Sequence, residues 1–222
     1  MTAAVEVRWL PPAPYQVIWD LQRRRAAAVA AGDAPEVLYL LEHAPVYTLG
    51  RRADAAHLLR GADALRALGA EVVWTDRGGD ATWHGPGQLV GYSILNLARV
   101  GRDLHAYVVA LEQVLIDALG TYGVAAERAT GMPGVWVRGD KVAAVGIKVT
   151  RGWVSYHGFA LNVAPELAWF DHIVPCGLHG VGVTSLAKVL GRAPPIEEVA
   201  NRVVAAFAAR FAAAIRQDAL AR

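Results

Sequence analysis

Cysteine is nearly absent from this chain: Cys176 is the only one among 222 residues. That excludes an internal disulfide and any metal site built on several thiolates. Excess charge is missing too. Twenty-two Lys and Arg against twenty Asp and Glu leave a net charge of +2, far too mild for a nucleic-acid-binding chain. No apolar run reaches the ~18 residues of a membrane span. Glu6 and Arg8 interrupt the start of the chain, where a secretory signal needs unbroken apolar residues. The expectation is a cytoplasmic chain with neither nucleic acid nor membrane among its partners. The histidines, His43, His57, His84, His105, His157, His172 and His179, include no H-E-x-x-H or other tight ligand pair, so no metal is expected. There is no G-x-x-x-x-G-K-[ST] phosphate loop and no G-x-S-x-G nucleophile elbow. The runs Arg23-Arg24-Arg25 and Arg51-Arg52 read as solvated faces, with docking of an acidic partner as the alternative.

What the chain does have is apolar residues: 55% of it is hydrophobic, enough to bury a core. It has no repeat, long linker or low-complexity tail, so residues 1–222 read as one domain. Helical periodicity predicts helices over Tyr15–Ala31 with Gly32 ending it, from Asp103 to about Gly120, and after Pro194-Pro195. A short helix is expected between a Thr184 or Ser185 cap and Gly191. Strands are predicted over 36–43, 46–50, 71–76, 88–97 and 153–163. A hairpin is predicted over 134–150, bent at Gly139-Asp140. The run 36–43 is apolar throughout and is expected to be covered on both faces. Strands mixed with a few helices predict an α+β (mixed α/β) fold.

Between two of these strands lies "DRGGDATWHGPGQLVGYSIL", residues 76–95. It is not a dinucleotide loop: its glycines are spaced G-x-G-x-x-x-G, Pro86 lacks the N–H a phosphate needs, and a strand follows in place of a helix. It reads either as a wide turn or as a pocket wall whose glycines admit something to the backbone, with Arg77, Thr82 and His84 at its edges. Cys176 sits in "IVPCGLHG". A lone cysteine is commonly a small buried hydrophobe, but Pro175 and Gly177 put this one on a bend. As a nucleophile it needs help, since at a pKa of ~8.5 only about 3% is thiolate at pH 7. Lys141, Lys148, His84 and His157 are the candidate helpers, and Lys141, just after the hairpin bend, is the best fixed.

Four ordered motifs, "RGGDATWHGPGQLVGYSI", "KVAAVG" (141–146), "HGFALNV" (157–163) and "PCG" (175–177), resemble the octanoyl-[acyl carrier protein]:protein N-octanoyltransferases of lipoate biosynthesis. The likeness runs from about Leu38 to Gly191. It departs from the family pattern at Ser93, where proline is expected, and by one extra residue between Lys141 and His157. The resemblance implies a largely antiparallel mixed sheet with helices packed on it, as in biotin and lipoate protein ligases. It implies catalytic roles for Cys176, as acyl-accepting nucleophile, and Lys141, which lowers its pKa. Arg77, Gly78, Gly79, Asp80, Ala81, Thr82, Trp83 and His84, with Ala144, Val145, Gly146, Gly158, Phe159 and Ala160, would line the acyl site, the glycines wrapping the chain. No cofactor is implied beyond the phosphopantetheine on the acyl donor's own carrier protein. The implied partners are octanoyl-acyl carrier protein and the lipoyl domains of 2-oxoacid dehydrogenase complexes and of the glycine cleavage H protein. The alternative on the same fold is an ATP-dependent lipoate or biotin ligase, which needs no cysteine.

Overall fold

The computed structural model describes residues 4–174, 181–211 and 214–217. Eight strands form one mixed sheet in the order β11-β1-β2-β6-β10-β9-β8-β7, and three form a second in the order β4-β3-β5. The large sheet comprises β1 (Ala4–Trp9), β2 (Glu36–Leu41), β6 (Gln88–Ile94), β7 (Glu127–Ala129), β8 (Met132–Val137), β9 (Asp140–Val149), β10 (Ser155–Asn162) and β11 (Ala214–Gln217). The small sheet comprises β3 (Val46–Leu49), β4 (Glu71–Trp74) and β5 (Ala81–His84). Pairing is antiparallel except for β1 with β2 and β11, and β3 with β4. The expected mixed, mostly antiparallel architecture is what the chain adopts.

Side-chain alternation explains the layers. Leu38, Leu40, Leu89, Phe159 and Leu161 face α3 (Leu104–Gly120) and α5 (Ile196–Phe211), while Val37, Tyr39, Val90, Tyr92 and Ala160 face α1 (Tyr15–Ala31). With helices on both faces, β2 is buried at every position, which is why its sequence is an unbroken apolar run. The helix ends follow their local chemistry. Gly32 closes α1 in the left-handed region at φ 82°. The Asp103 carboxylate accepts from the Ala106 amide at the start of α3. The Ser185 hydroxyl accepts from the Lys188 amide at the start of α4 (Leu186–Leu190), which Gly191 closes.

Several expectations shift. The hairpin turn is one residue earlier than predicted: Arg138 and Gly139 carry the positive φ values, 53° and 86°, as a two-residue primed turn requires. The Gly-rich stretch contains a strand, β5, that the glycines on either side conceal. β1, β11, β7 and the short α2 (Ala62–Ala67) have no strong periodicity and were not foreseen. Ser93, the departure from proline, joins a buried cluster: its hydroxyl lies 2.6 Å from that of Tyr107, which is 3.0 Å from that of Ser155. This ties β6, α3 and β10 together.

β6 and β10 pair antiparallel through two glycines, Gly91 and Gly158, where neither tolerates a side chain. A Cβ on Gly158 would lie 2.1 Å from the Gly91 carbonyl oxygen, and one on Gly91 would lie 2.1 Å from the Phe159 ring. Gly158→Ala must therefore displace backbone, and should cost about 3 kcal/mol in urea denaturation. Gly152→Ala, whose Cβ would meet nothing closer than 3.4 Å, should stay within about 0.5 kcal/mol.

Candidate functional site

The turn between β4 and β5 is built around Arg77. Its guanidinium is buried and donates to the Thr48 hydroxyl and carbonyl from β3, and to the Gly78 and Asp80 carbonyls of its own turn. A buried cation is tolerable only when so compensated. The result is a turn folded back on its own arginine, with Gly78 also tied to β9 by its amide, 2.9 Å from the Ile147 carbonyl. Asp80 accepts from the Ala81 amide and from His57 Nδ1, at 2.6 and 2.7 Å. At the turn's base, Asp76 receives Tyr156 and His157 from β10. Burial opposes the charge on Asp76, but these two hydrogen bonds prevail and hold its pKa at about 2.

Beneath this turn lies an inner cavity of about 50 Å³. Arg77 to Thr82, His84, Ala144 to Gly146 and Gly158 to Ala160 all border it, so nearly the whole predicted acyl-site set meets at one place. Trp83 does not. Alternation along β5 turns it away, stacked on Trp169 with ring centroids 5.8 Å apart in the core of the small sheet. Val90, Tyr92 and Pro133 complete the cavity wall. The cavity shares Gly78, Gly79, Asp80, Pro133, Val145 and Gly146 with a much larger open cleft of about 940 Å³, which runs past Lys141. The glycines have more work than wrapping a ligand: Gly87 takes φ 81° and leaves no room for a Cβ, which would meet the Ala164 carbonyl at 2.4 Å.

Lys141 projects into the cleft from β9. Its Nζ donates to the Pro133 carbonyl at 3.1 Å and sits 4.7 Å from the centroid of the Trp136 ring. Lys148, seven residues along β9, is on the other face, where its charge acts on Asp76. His157 is buried on the α1 side, against Trp19 and Asp76. His84 borders the cavity with both ring nitrogens engaged: Nδ1 is 2.7 Å from Gln88 Oε1, and Nε2 is 3.4 Å from the Thr48 hydroxyl. Burial, with His43 and Arg77 nearby, lowers its pKa to about 3. Of the four candidate helpers, only Lys141 is a cation along the cleft.

Cys176 lies outside the described residues, as do Pro175, Gly177 and His179. Their described neighbours run beside the cleft. The Val174 amide donates to the His57 carbonyl, Lys141 N donates to the Gly182 carbonyl, and Thr184 N donates to the Lys141 carbonyl, at 2.9, 2.9 and 3.0 Å.

Sequence reading missed the polar chain that joins these parts. Arg77 donates to the Thr48 hydroxyl, leaving that hydroxyl's proton for His84 Nε2, so His84 Nδ1–H points to Gln88 Oε1. Gln88 Nε2 then donates to Asn162 Oδ1 at 2.9 Å, and Asn162 Nδ2 to the Thr184 carbonyl at 3.0 Å. A signal was present: Thr48, Gln88 and Asn162 are polar residues in strands buried at every position.

Residues 14–208 match the family model described as the lipoyl protein ligase A/B catalytic domain. The octanoyltransferase of Rubrobacter xylanophilus is 52% identical over 207 residues, covering 92% of this chain and 93% of its own. That of Chloroflexus aurantiacus is 46% identical over 217 residues, 97% of each. Among solved structures, the bipartite lipoate protein ligase of Thermoplasma acidophilum superposes with a TM-score of 0.73 at 14% identity, over 98% of this chain and 87% of that one. The biotin protein ligase of Aquifex aeolicus gives 0.57 at 14% identity, over 93% and 70%. Both share the fold.

The histidines make stability pH-dependent. Burial lowers His43 to about 4 and His84 to about 3, below the unfolded value of ~6.5. Their contribution is complete above that value and is lost as the pH falls towards 4, because the unfolded chain takes up protons that the native one does not. The free energy of unfolding, measured by urea denaturation, should drop between pH 7 and pH 5 by about 2 kcal/mol per histidine. In His84→Gln the drop should be smaller by about that amount.

Proposed function

The chain belongs to the lipoyl protein ligase A/B catalytic-domain family, and within it to the octanoyltransferases, and on that premise we propose that it moves octanoyl from acyl carrier protein through Cys176 to a lipoyl-domain lysine. It is an acyltransferase of protein lipoylation. The Cys176 thiolate attacks the thioester carbonyl of octanoyl-acyl carrier protein, and the carrier's phosphopantetheine thiolate leaves and takes up a proton. The ε-amine of a lysine on the acceptor then attacks octanoyl-S-Cys176. It loses a proton, an amide forms and the cysteine thiolate is released. The acceptors are lipoyl domains of 2-oxoacid dehydrogenase complexes and the glycine cleavage H protein. No ATP is consumed, because a thioester is already activated.

The observation that carries this reading is the cleft itself. Lys141 projects into it, the Gly-rich turn walls it, and the described residues on both sides of Cys176 hydrogen-bond to His57 and Lys141 beside it. A fixed cation close to a thiol favours the thiolate. The lipoyl domain accords with the Thermoplasma ligase, which is described as part of a lipoylation system together with its E2 lipoyl domain. Burying ~6 methylenes at ~0.8 kcal/mol each gives an upper bound of about 5 kcal/mol for holding the acyl chain. One methylene then changes affinity only about fourfold, so sharp chain-length choice requires a closed end to the cavity.

Mixed with octanoyl-acyl carrier protein in the absence of ATP, the protein should gain the mass of one octanoyl group. Hydroxylamine should remove it, a lipoyl domain should discharge it, and Cys176→Ala should not acquire it. Amide formed without any adduct would overturn the covalent route, and a requirement for ATP with free octanoate would overturn the donor. Lys141→Ala should move the pH midpoint for alkylation of Cys176 by iodoacetamide up towards ~8.5. An unmoved midpoint would remove Lys141 from its role.

A further inference from the structure

Arg51 and Arg52 follow β3 directly, at the mouth of the cleft, and both side chains are exposed. Their backbone is fixed to the Gly-rich turn: Arg51 N donates to the Arg77 carbonyl and Arg52 N to that of Gly79, each at 3.1 Å. The pair therefore keeps its place relative to the cavity. Arg51 acts at a distance on the Tyr156 hydroxyl, but neither arginine is held in an ion pair with a described carboxylate. Arg8, Arg23, Arg25, Arg66 and Arg202 each have a carboxylate within 4 Å. Among the described residues Arg51 and Arg52 have none. Along the cleft, Asp80 is the one described carboxylate, and it is already engaged by His57 and the Ala81 amide. Part of the cleft lining is apolar. Leu104, first in the predicted core stripe of α3, is instead 48% exposed and lines the cleft with Val108 and Met132.

A cation pair at the mouth, a partly apolar lining and Lys141 within fit a long ligand that is anionic at one end and reactive at the other. We infer that Arg51 and Arg52 bind the phosphodiester of the phosphopantetheine arm that carries the octanoyl group. The inference rests on the carrier-linked donor proposed above. Two guanidinium groups on a fixed turn suit a phosphate dianion or diester geometrically, offering paired N–H donors that a lysine lacks.

The test compares three donors, octanoyl-pantetheine, octanoyl-phosphopantetheine and octanoyl-acyl carrier protein, with the wild type and the double variant Arg51→Ala/Arg52→Ala. The readout is the ratio of kcat/KM for octanoyl-phosphopantetheine to that for octanoyl-pantetheine. In the wild type it should be about tenfold or more and should fall with added salt, as an ion-paired contact does. In the double variant it should approach one, chiefly through KM, and Arg51→Lys/Arg52→Lys should lie between. A ratio near one in the wild type, or an equally high ratio in the double variant, would overturn the inference. A loss confined to octanoyl-acyl carrier protein would also overturn it, because the pair would then read the carrier's protein surface. A wild type that accepts none of the three donors but uses octanoate with ATP would instead overturn the transferase reading. A thermal melt of the double variant matching the wild type establishes that the ratio is read on a folded protein.

Discussion

The buried guanidinium of Arg77 is the interaction on which the site depends. It bonds Thr48 in the small sheet and the Gly78 and Asp80 carbonyls of its own turn. The Asp80 carbonyl also accepts from the Gly50 amide, at 3.3 Å, and a turn of this composition has no apolar side chains to hold it in place. Water would solvate the carbonyls if the turn opened, and the arginine replaces that water with fixed donors. A charge in the interior is costly unless every bond is made, so the turn and the arginine enforce each other. The Asp80–His57 contact and the rim at Arg51 and Arg52 inherit that position, because both are attached to the turn's backbone.

From Arg77 the constraint passes through Thr48, His84, Gln88 and Asn162 to the Thr184 carbonyl, and Thr184 N bonds the carbonyl of Lys141. Each link is a neutral group donating to the next, apart from the arginine at the start. Such a chain transmits position and not charge. It fixes the β9 lysine and Thr184 against the same frame as the cavity. Loss of any middle member leaves two buried polar atoms unmatched, which costs more than the bond itself contributes.

The helices and the long strands were legible because their signals are local. A 3.6-residue stripe with a left-handed glycine defines α1, and the same stripe with an Asp103 cap defines α3, without reference to the rest of the chain. The unbroken apolar run of β2 even announced that both its faces are covered. β5 was not legible: four residues between glycines have no period to measure, and their strand state is conferred by β3 alongside them. β1 and β11 fail for the same reason, since parallel edge pairing is decided by distant partners. In the site, the motif residues brought the cavity wall together on paper. Trp83 was misjudged because a motif records neighbours in sequence and ignores the alternation that turns every second side chain of β5 to the other face. Leu104 was misjudged in the opposite sense. Helical spacing assigned it to the core, but this first residue of α3 is 48% exposed and lines the cleft.

The histidines show how the scaffold and the chemistry separate. His84 borders the cavity, yet its two nitrogens are occupied as donor and acceptor, and burial keeps it uncharged through the neutral range. Protonating it would turn the Thr48 hydroxyl from donor to rival and place a second cation beside Arg77. The native fold therefore resists that proton until acid is strong enough to break the chain of bonds. His43 behaves alike for the same cause, burial. Acid loss of activity that arises from these two groups must then coincide with loss of structure. A change in rate with the fold intact must then arise from groups other than these two histidines.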